Sequence, residues 1–407
     1  MKIAVIGAGI SGLAFAKYAK IQSVSVKLFE KNTVSGGIAK VKNVDGQPYH
    51  MIGGHCFNSK FPHVMDFVFD HVLPVDNWHK VERKASIILN GYSVPYPIEF
   101  SMKEIYARNP ELAVSFINDY LTADRFPANS LQDWFINNFG ESLAEEYFIP
   151  YNRKIWGREP STMSPDWVVD KLPQPNNESF IKGLLDSSSD SMPHSSFYYP
   201  KSGTQNTFIE ALASGLDIEF NSEVTGLHKN EQGKFDINGE LFDEVIYTGP
   251  LDSVAKVFDI DDSDVLSSIN RLEFNKVTTV LWEREETDDT WSYIPSEDIL
   301  FHRLIHIGNF TQERSNVSIS EAVGEVSYED MVKAGEKLSI LKKPLAYNVS
   351  NHAYVVFNKT IQKDKEVIFN HFSNSGVHLL GRFGQWDYFN MDICILEAIK
   401  LFNELKK

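Results

Sequence analysis

The run Met1-Lys2-Ile3-Ala4-Val5-Ile6-Gly7-Ala8-Gly9-Ile10-Ser11-Gly12 decides the fold. It begins as a short apolar, β-branched strand. The strand runs directly into a G-x-G-x-x-G turn, and Leu13-Ala14-Phe15-Ala16-Lys17-Tyr18-Ala19 continues as a helix. Each glycine has a task at this spacing. Gly7 permits the tight turn, Gly9 lets a pyrophosphate approach the backbone, and Gly12 lets the helix pack on the strand. The helix start at Ile10 and Ser11 offers free N–H groups and a partial positive charge to phosphates.

A second strand over residues 24–29 ends in Glu30. This is roughly the ~20-residue spacing of a carboxylate that takes a ribose hydroxyl. In this context the glycine turn reads as a dinucleotide site. Lys31 and then Gly36-Gly37-Ile38 follow, and a second glycine pair lets the chain pass close to another part of a large cofactor.

At 407 residues the chain exceeds one typical core, so two or three domains are expected. Hydrophobic content of 43% and charged content of 23% are those of an ordinary globular protein. The net charge of −16 argues against nucleic-acid binding, since no basic face follows from it. It leaves room for an anionic ligand held by a few local arginines. No apolar run approaches ~18 residues, so no membrane span is expected. Two cysteines, Cys56 and Cys394, cannot build a disulfide scaffold, and a cytoplasmic protein without a metal site is expected.

Further along, Ser86-Ile87-Ile88-Leu89, Asn90-Gly91 and Tyr92-Ser93-Val94-Pro95 spell a β-hairpin. Residues 101–185 change to a helical period. Ser130 reads as a cap, followed by a core stripe of Leu131, Trp134, Phe135 and Phe139. The polar stretch 186–196 reads as a mobile loop, either a lid or a plain linker. A helix over 207–214 is expected, then strands over 217–220, 224–229, 234–237 and 244–248. Residues 275–360 alternate as strands around a helix opened by Ser327-Tyr328-Glu329-Asp330, and 377–382 is a strand before a final helix over 393–405. The architecture expected is α/β. A discontinuous dinucleotide domain (1–75, 197–262, 370–407) carries a helical insert (101–196) and an antiparallel β-sheet domain (76–100, 263–369).

Several separate stretches together resemble the UDP-galactopyranose mutase family. Glu30-Lys31 before Gly36-Gly37 resembles the FAD-binding start shared with amine oxidases and protoporphyrinogen oxidases. Gly53-Gly54-His55-Cys56-Phe57-Asn58 resembles the family's flavin-side G-x-H-x-F-H. Phe148-Ile149-Pro150-Tyr151 through Lys154-Ile155-Trp156-Gly157 is similar to its F-I-x-x-Y-T-x-K-Q-W-G helix end. Tyr247-Thr248-Gly249-Pro250-Leu251-Asp252 is similar to Y-T-G-P-I-D, and Phe301-His302-Arg303-Leu304 to Y-T-R-I. Pro344-Leu345-Ala346-Tyr347 is a weaker counterpart of P-Y-Y-P. Gly381-Arg382-Phe383-Gly384-Gln385-Trp386-Asp387-Tyr388-Phe389-Asn390-Met391 is similar to G-G-R-L-A-E-Y-K-Y-Y-D-M.

The resemblance implies a Rossmann-like FAD-binding domain and an FAD-dependent mutase. Such an enzyme interconverts pyranose and furanose forms of a nucleotide sugar through a reduced-flavin N5–sugar adduct. It implies FAD contacts from Gly7, Gly9, Ile10, Ser11, Gly12, Glu30, Lys31, Gly36, Gly37, Ile38, His55, Phe57, Val224, Thr248, Gly249, Gly381, Arg382, Tyr388 and Met391. Substrate contacts are implied for Tyr151, Trp156, Arg303, Tyr347, Arg382 and Tyr388. Among these, Arg303, Arg382, Tyr347 and Tyr388, together with His55, carry the catalytic roles. The residue types suit a diphosphate, which Arg grips with a planar fork and Tyr with a hydroxyl. The implied partners are a nucleotide-sugar substrate and an external flavin reductant such as NAD(P)H; a homo-oligomer stays open. Three departures bear on the substrate. Asn58 replaces a second His, Leu172-Pro173-Gln174-Pro175 lacks a loop Arg that Lys182 would have to replace, and His306 stands for a Glu. The alternative is an FAD-dependent oxidoreductase of the amine-oxidase or protoporphyrinogen-oxidase type.

Overall fold

The computed structural model describes residues 2–123, 126–168, 172, 176–178, 180–181, 195–373 and 375–406. Pro173, Gln174, Pro175, Lys182 and most of the polar stretch 186–196 lie outside them.

Ile3–Ile6 reads as a continuous apolar run because the strand is covered on both faces, and all four residues are buried. It is the centre of a five-stranded sheet in the order Val377–Leu379, Glu244–Tyr247, Ile3–Ile6, Val26–Glu30, Asp217–Phe220. Every neighbouring pair is parallel. Helix Ile10–Ile21 buries Leu13, Ala14 and Phe15 in a core shared with Ile395 and Ala398 of helix Met391–Leu405. Phe15 meets Phe402 edge-on at 5.9 Å. Full burial of side chains of this size contributes about 1.5–3 kcal/mol each.

The second sheet has seven strands in the order Leu341–Val356, Glu273–Arg284, Val317–Val323, Arg303–Ile305, Trp291–Tyr293, Ala85–Leu89, Tyr92–Pro95. Its neighbours are antiparallel, except that Trp291–Tyr293 runs parallel to Ala85–Leu89. The expected hairpin closes this edge. Asn90 (φ 48°) and Gly91 (φ 85°) both adopt the left-handed conformation that a two-residue turn demands.

Helices Met102–Arg108, Pro110–Thr122, Leu131–Phe139 and Ile149–Trp156 follow one another after the hairpin. Ser130 caps as expected, its side chain accepting from Asp133 N at 3.1 Å, and Leu131, Trp134, Phe135 and Phe139 are all buried. Ser327 likewise caps helix Tyr328–Gly335.

Some expectations are corrected. Residues 224–229 form no strand. They meet neighbours at single residues, Leu227 with Phe258 and Lys229 with Phe235. Helices Ser263–Asn270 and Ile361–Phe372 were not foreseen. Each is a mostly polar stretch that buries only two or three apolar side chains, at helical spacing. The strand expected over 377–382 stops at Leu379, because residues Gly381–Gly384 turn into a helical segment.

Candidate active site

A cavity of about 950 Å³ opens at the carboxyl ends of the parallel strands, against Ile6, Phe29, Glu30 and Tyr247. Open α/β sheets bind ligands at this end. Gly7, Gly9, Ile10 and Ser11 form one wall, and Lys31, Gly36, Gly37 and Ile38 face them. The two glycine loops nearly touch: a Cβ on Gly37 would sit 3.2 Å from Gly9 Cα. Gly12 is behind the wall, where a Cβ would lie 2.1 Å from Gly7 O. The helix that starts at Ile10 has Gly9 as its cap, with no side-chain cap and no acid in its first turn. Its leading N–H groups are therefore left to a ligand anion.

The buried Glu30 carboxylate is fixed by Ala8 N at 2.8 Å, Asn32 N at 2.9 Å and Asn32 Nδ2 at 2.5 Å. Ionised, it keeps a lone pair for a hydroxyl donor. Val224, Thr248, Gly249 and Met391 complete this part of the wall. Gly381 is packed behind Ser11, where a Cβ would fall 2.2 Å from Ser11 Oγ. Phe57 is in the core, ring to ring with Trp78 at 5.6 Å and Phe208 at 5.8 Å.

The cavity continues past Gly53, Gly54 and His55 to the face of the seven-stranded sheet. His55 N donates to His50 Nδ1 at 3.0 Å, and His55 Nε2 is buried with no partner. Burial, and next the Arg382 charge, push the His55 imidazole down to about 4. It is therefore neutral near pH 7. Cys56, also on the wall, is pushed up to about 12 by burial, so it is a thiol rather than a nucleophilic thiolate.

Cross-strand register assembles the cationic part. Glu321 is opposite Arg303, Arg303 opposite Tyr293, and Tyr293 opposite Ile87, so these side chains share one face of the sheet. Arg303 Nη2 donates to Glu321 Oε1 at 2.7 Å and to Tyr354 OH at 2.5 Å. Tyr354 OH donates to the same Oε1, and Gly53 N to Glu321 Oε2. Burial opposes ionisation of Glu321. The Arg303 charge and the bonds from His302 and Tyr354 outweigh it and hold the carboxyl well below the usual range. Arg382 packs over two aromatic rings, its Cζ 4.4 Å from the Tyr388 centroid and 5.3 Å from that of Tyr354. Its Nε is buried without a partner, and its other contacts are carbonyls at 3.4 Å. Arg303, Arg382 and Tyr388 thus meet on one cavity wall.

Three expected substrate residues lie elsewhere. Tyr347 is at the outer edge of the sheet, its hydroxyl donating to Val326 O at 2.6 Å. Trp156 is buried and gives its N–H to Asn152 Oδ1 at 3.1 Å. Tyr151 packs behind the wall, edge-on to Tyr293 at 5.7 Å. Asn58 reaches the wall, bound to Ser196 O at 3.0 Å. His306 does not, being fixed between Ser292 and Ser318.

Sequence reading missed Arg83, Tyr293, Glu321 and Tyr354. Glu321 left a signal, a lone carboxylate inside the strand Val317–Val323, where a buried charge demands a partner. Arg83, beside a strand edge, left none. Among the described residues no cluster of His, Cys, Asp and Glu fits a metal ion, and no helix is long and apolar enough to cross a membrane.

The double glycine cradle, the Glu30 carboxylate and the cavity beyond them define a Rossmann-type dinucleotide-binding protein. The model of the NAD(P)-binding Rossmann-like domain matches residues 5–70. The resemblance expected from the motifs holds over the whole chain. It is 24% identical to dTDP-fucopyranose mutase of Escherichia coli over 411 residues, covering 98% of this chain and 97% of that one. It is 21% identical to UDP-galactopyranose mutase of Mycoplasma genitalium, covering 99% and 94%. The fold is that of reduced UDP-galactopyranose mutase, with a TM-score of 0.86 at 19% identity, covering 99% of this chain and 93% of that one.

Proposed function

We propose that this protein is an FAD-dependent mutase that interconverts pyranose and furanose forms of a nucleotide sugar. The observation that carries the reading is the placement of two arginines, Arg303 and Arg382, on the same cavity as the double glycine cradle. Full-length similarity to a dTDP-fucopyranose and a UDP-galactopyranose mutase supports it.

The residues suit FAD. The Gly7–Gly12 turn and the helix start at Ile10 take its diphosphate, and Glu30 takes a ribose hydroxyl. Gly36, Gly37 and Gly249 allow a large group to lie against backbone, and the cavity runs on to His55. When bound and reduced, the flavin supplies the electron pair that engages the sugar's anomeric carbon, with no net oxidation. The chain supplies the rest. Arg303 and Arg382 hold the nucleoside diphosphate while it is detached and again when it returns. Tyr354 and Glu321 keep the Arg303 fork from turning away. Neutral His55 presents an imidazole, not a second cation, beside Arg382. Tyr388 lies under Arg382 and orients it. The wall presents a protonated thiol at Cys56, which agrees with a nucleophile that belongs to the cofactor.

Turnover would consume no reductant, but a carrier such as NAD(P)H would keep the flavin reduced, in keeping with a cytoplasmic setting. The test is to incubate dithionite-reduced protein with UDP- and dTDP-hexoses and separate the products. An isomer of unchanged mass is expected. Turnover by the oxidised protein with release of hydrogen peroxide would overturn the mutase reading and favour an oxidase.

A further inference from the structure

Arg83 has no assigned part in the site described so far, yet it lines the same cavity. It precedes Ala85–Leu89 by two residues. Strand alternation places Ala85 and Ile87 on the face that carries Tyr293 and Arg303 across the parallel pairing, and the Arg83 side chain reaches that face at Tyr293 and Trp291. Its guanidinium is bound by one hydrogen bond, Nη2 to Tyr293 OH at 2.7 Å. Its Cζ lies 5.1 Å from the Trp291 ring and 5.4 Å from the Tyr96 ring. Its Nε is buried with no partner.

What Arg83 lacks is an acid. The chain has 55 Asp and Glu against 39 Lys and Arg, so carboxylates are plentiful. Even so, among the described residues none forms an ion pair with Arg83 or with Arg382, while Arg303 has Glu321. The Glu30 carboxylate on the same cavity is taken up by Ala8 N and Asn32 instead. Sequestered charges are costly unless paired. Arg303 and Glu321 cancel, so the arginine cluster keeps the two charges of Arg83 and Arg382. A diphosphate diester brings one acidic group on each of its two phosphorus atoms.

We propose that Arg83 is a third diphosphate-binding arginine, held ready by Tyr293, and that with Arg382 it supplies the charge that the bound nucleoside diphosphate neutralises. This rests on the nucleotide-sugar reading and adds a specificity-determining residue to it. The cluster then prefers a diphosphate, whose charges are spread over two phosphorus atoms, over a monophosphate, whose charge sits on one.

The experiment is calorimetric titration of the FAD-loaded, oxidised protein with UDP, dTDP, the matching monophosphates, uridine, thymidine and inorganic pyrophosphate. Arg83→Gln should weaken the diphosphates by about ten- to a hundredfold, the size of one lost charge-assisted contact, and leave the nucleosides unchanged. Arg83→Lys should recover part of this. Tyr293→Phe, which keeps the charge and removes only its anchor, should weaken the diphosphates severalfold; this variant decides the matter if Arg83→Gln does not fold. Unchanged diphosphate affinity in folded Arg83→Gln overturns the proposal while the mutase reading stands, as does loss of FAD from that variant. If wild-type protein binds pyrophosphate but no nucleotide, and Arg83→Gln loses pyrophosphate, the anion site stands and the nucleotide-sugar reading falls.

Discussion

Arg303 and Glu321 face each other across adjacent antiparallel strands, with Nη2 2.7 Å from Oε1 and the carboxylate fully buried. Tyr354 binds both partners. The pair fixes an arginine at a cavity wall without leaving it free to swing, and it makes site geometry and sheet stability one problem. Glu321→Gln leaves Arg303 buried and uncompensated, which costs about 3–5 kcal/mol where one partner of a buried pair is removed. Denaturant unfolding of the FAD-loaded protein should show this loss. Because the folded Glu321 carboxyl is depressed, its contribution is present above the unfolded value and fades as pH falls below about 4.5. The wild-type advantage over Glu321→Gln should therefore shrink in acid.

His306 predicts proton linkage of the same sign at a different place and a higher pH. It is fully buried between Ser292 Oγ at 2.9 Å and Ser318 Oγ at 2.7 Å. Burial, with the Arg284 charge second, pushes it down to about 3. The folded state holds it neutral, while the unfolded chain takes up a proton below about 6.5. Stability is thus lost as pH falls from about 6.5, by about 1.4 kcal/mol per pH unit, until the folded value is reached. His306→Asn should flatten the slope of stability between pH 7.5 and pH 5, whatever its effect on absolute stability. An unchanged slope would assign the acid sensitivity to other buried histidines, such as His50.

Gly37 tests the cofactor cradle. It is left-handed at φ +55°, and a Cβ there would come within 3.2 Å of Gly9 Cα. A β-branched residue is strained in that conformation and fills the gap between the two glycine loops. Gly37→Val should give folded protein that purifies without FAD, read from its visible absorbance. Full flavin content would show that the dinucleotide does not pass between Gly9 and Gly37.

How much of this was legible follows from what kind of interaction each part rests on. The dinucleotide half depends on local chemistry. A strand, a glycine turn and a carboxylate about 20 residues on are written within the first thirty-odd residues, and Gly7, Glu30 and Gly37 line one cavity. The hairpin at Asn90-Gly91 is local in the same way. The arginine-lined half depends on register between strands far apart in sequence. Arg303 and Arg382 were found through motif resemblance, but Arg83, Tyr293 and Glu321 become neighbours only once the seven-stranded order is known. Tyr347 shows the reverse failure. Its motif resemblance was weak, and the strand's course leaves its hydroxyl on Val326 O, away from the cavity.

Arg382 gives the sharpest kinetic expectation. It carries no acidic partner among the described residues, its Nε is buried unpartnered, and its Cζ is 4.4 Å from the Tyr388 centroid. A charge-assisted contact to a diphosphate in such a site contributes about 1.5–3 kcal/mol. Arg382→Ala should therefore lower kcat/KM by roughly ten- to a few-hundredfold, since about 1.4 kcal/mol is tenfold. Arg382→Lys should restore only part, because an ammonium neither forks nor stacks on Tyr388 as a guanidinium does. FAD content should stay near that of wild type, since in the proposed reading the glycine turns and Glu30 hold the dinucleotide. The fall should be larger for a nucleotide sugar than for the affinity of the free nucleoside, which has no phosphate to lose. Loss of flavin together with activity would move Arg382 from the substrate to the cofactor. Wild-type kinetics in Arg382→Ala would remove it from the site, and leave Arg303 as the one arginine of the proposed pair still able to act on the leaving diphosphate.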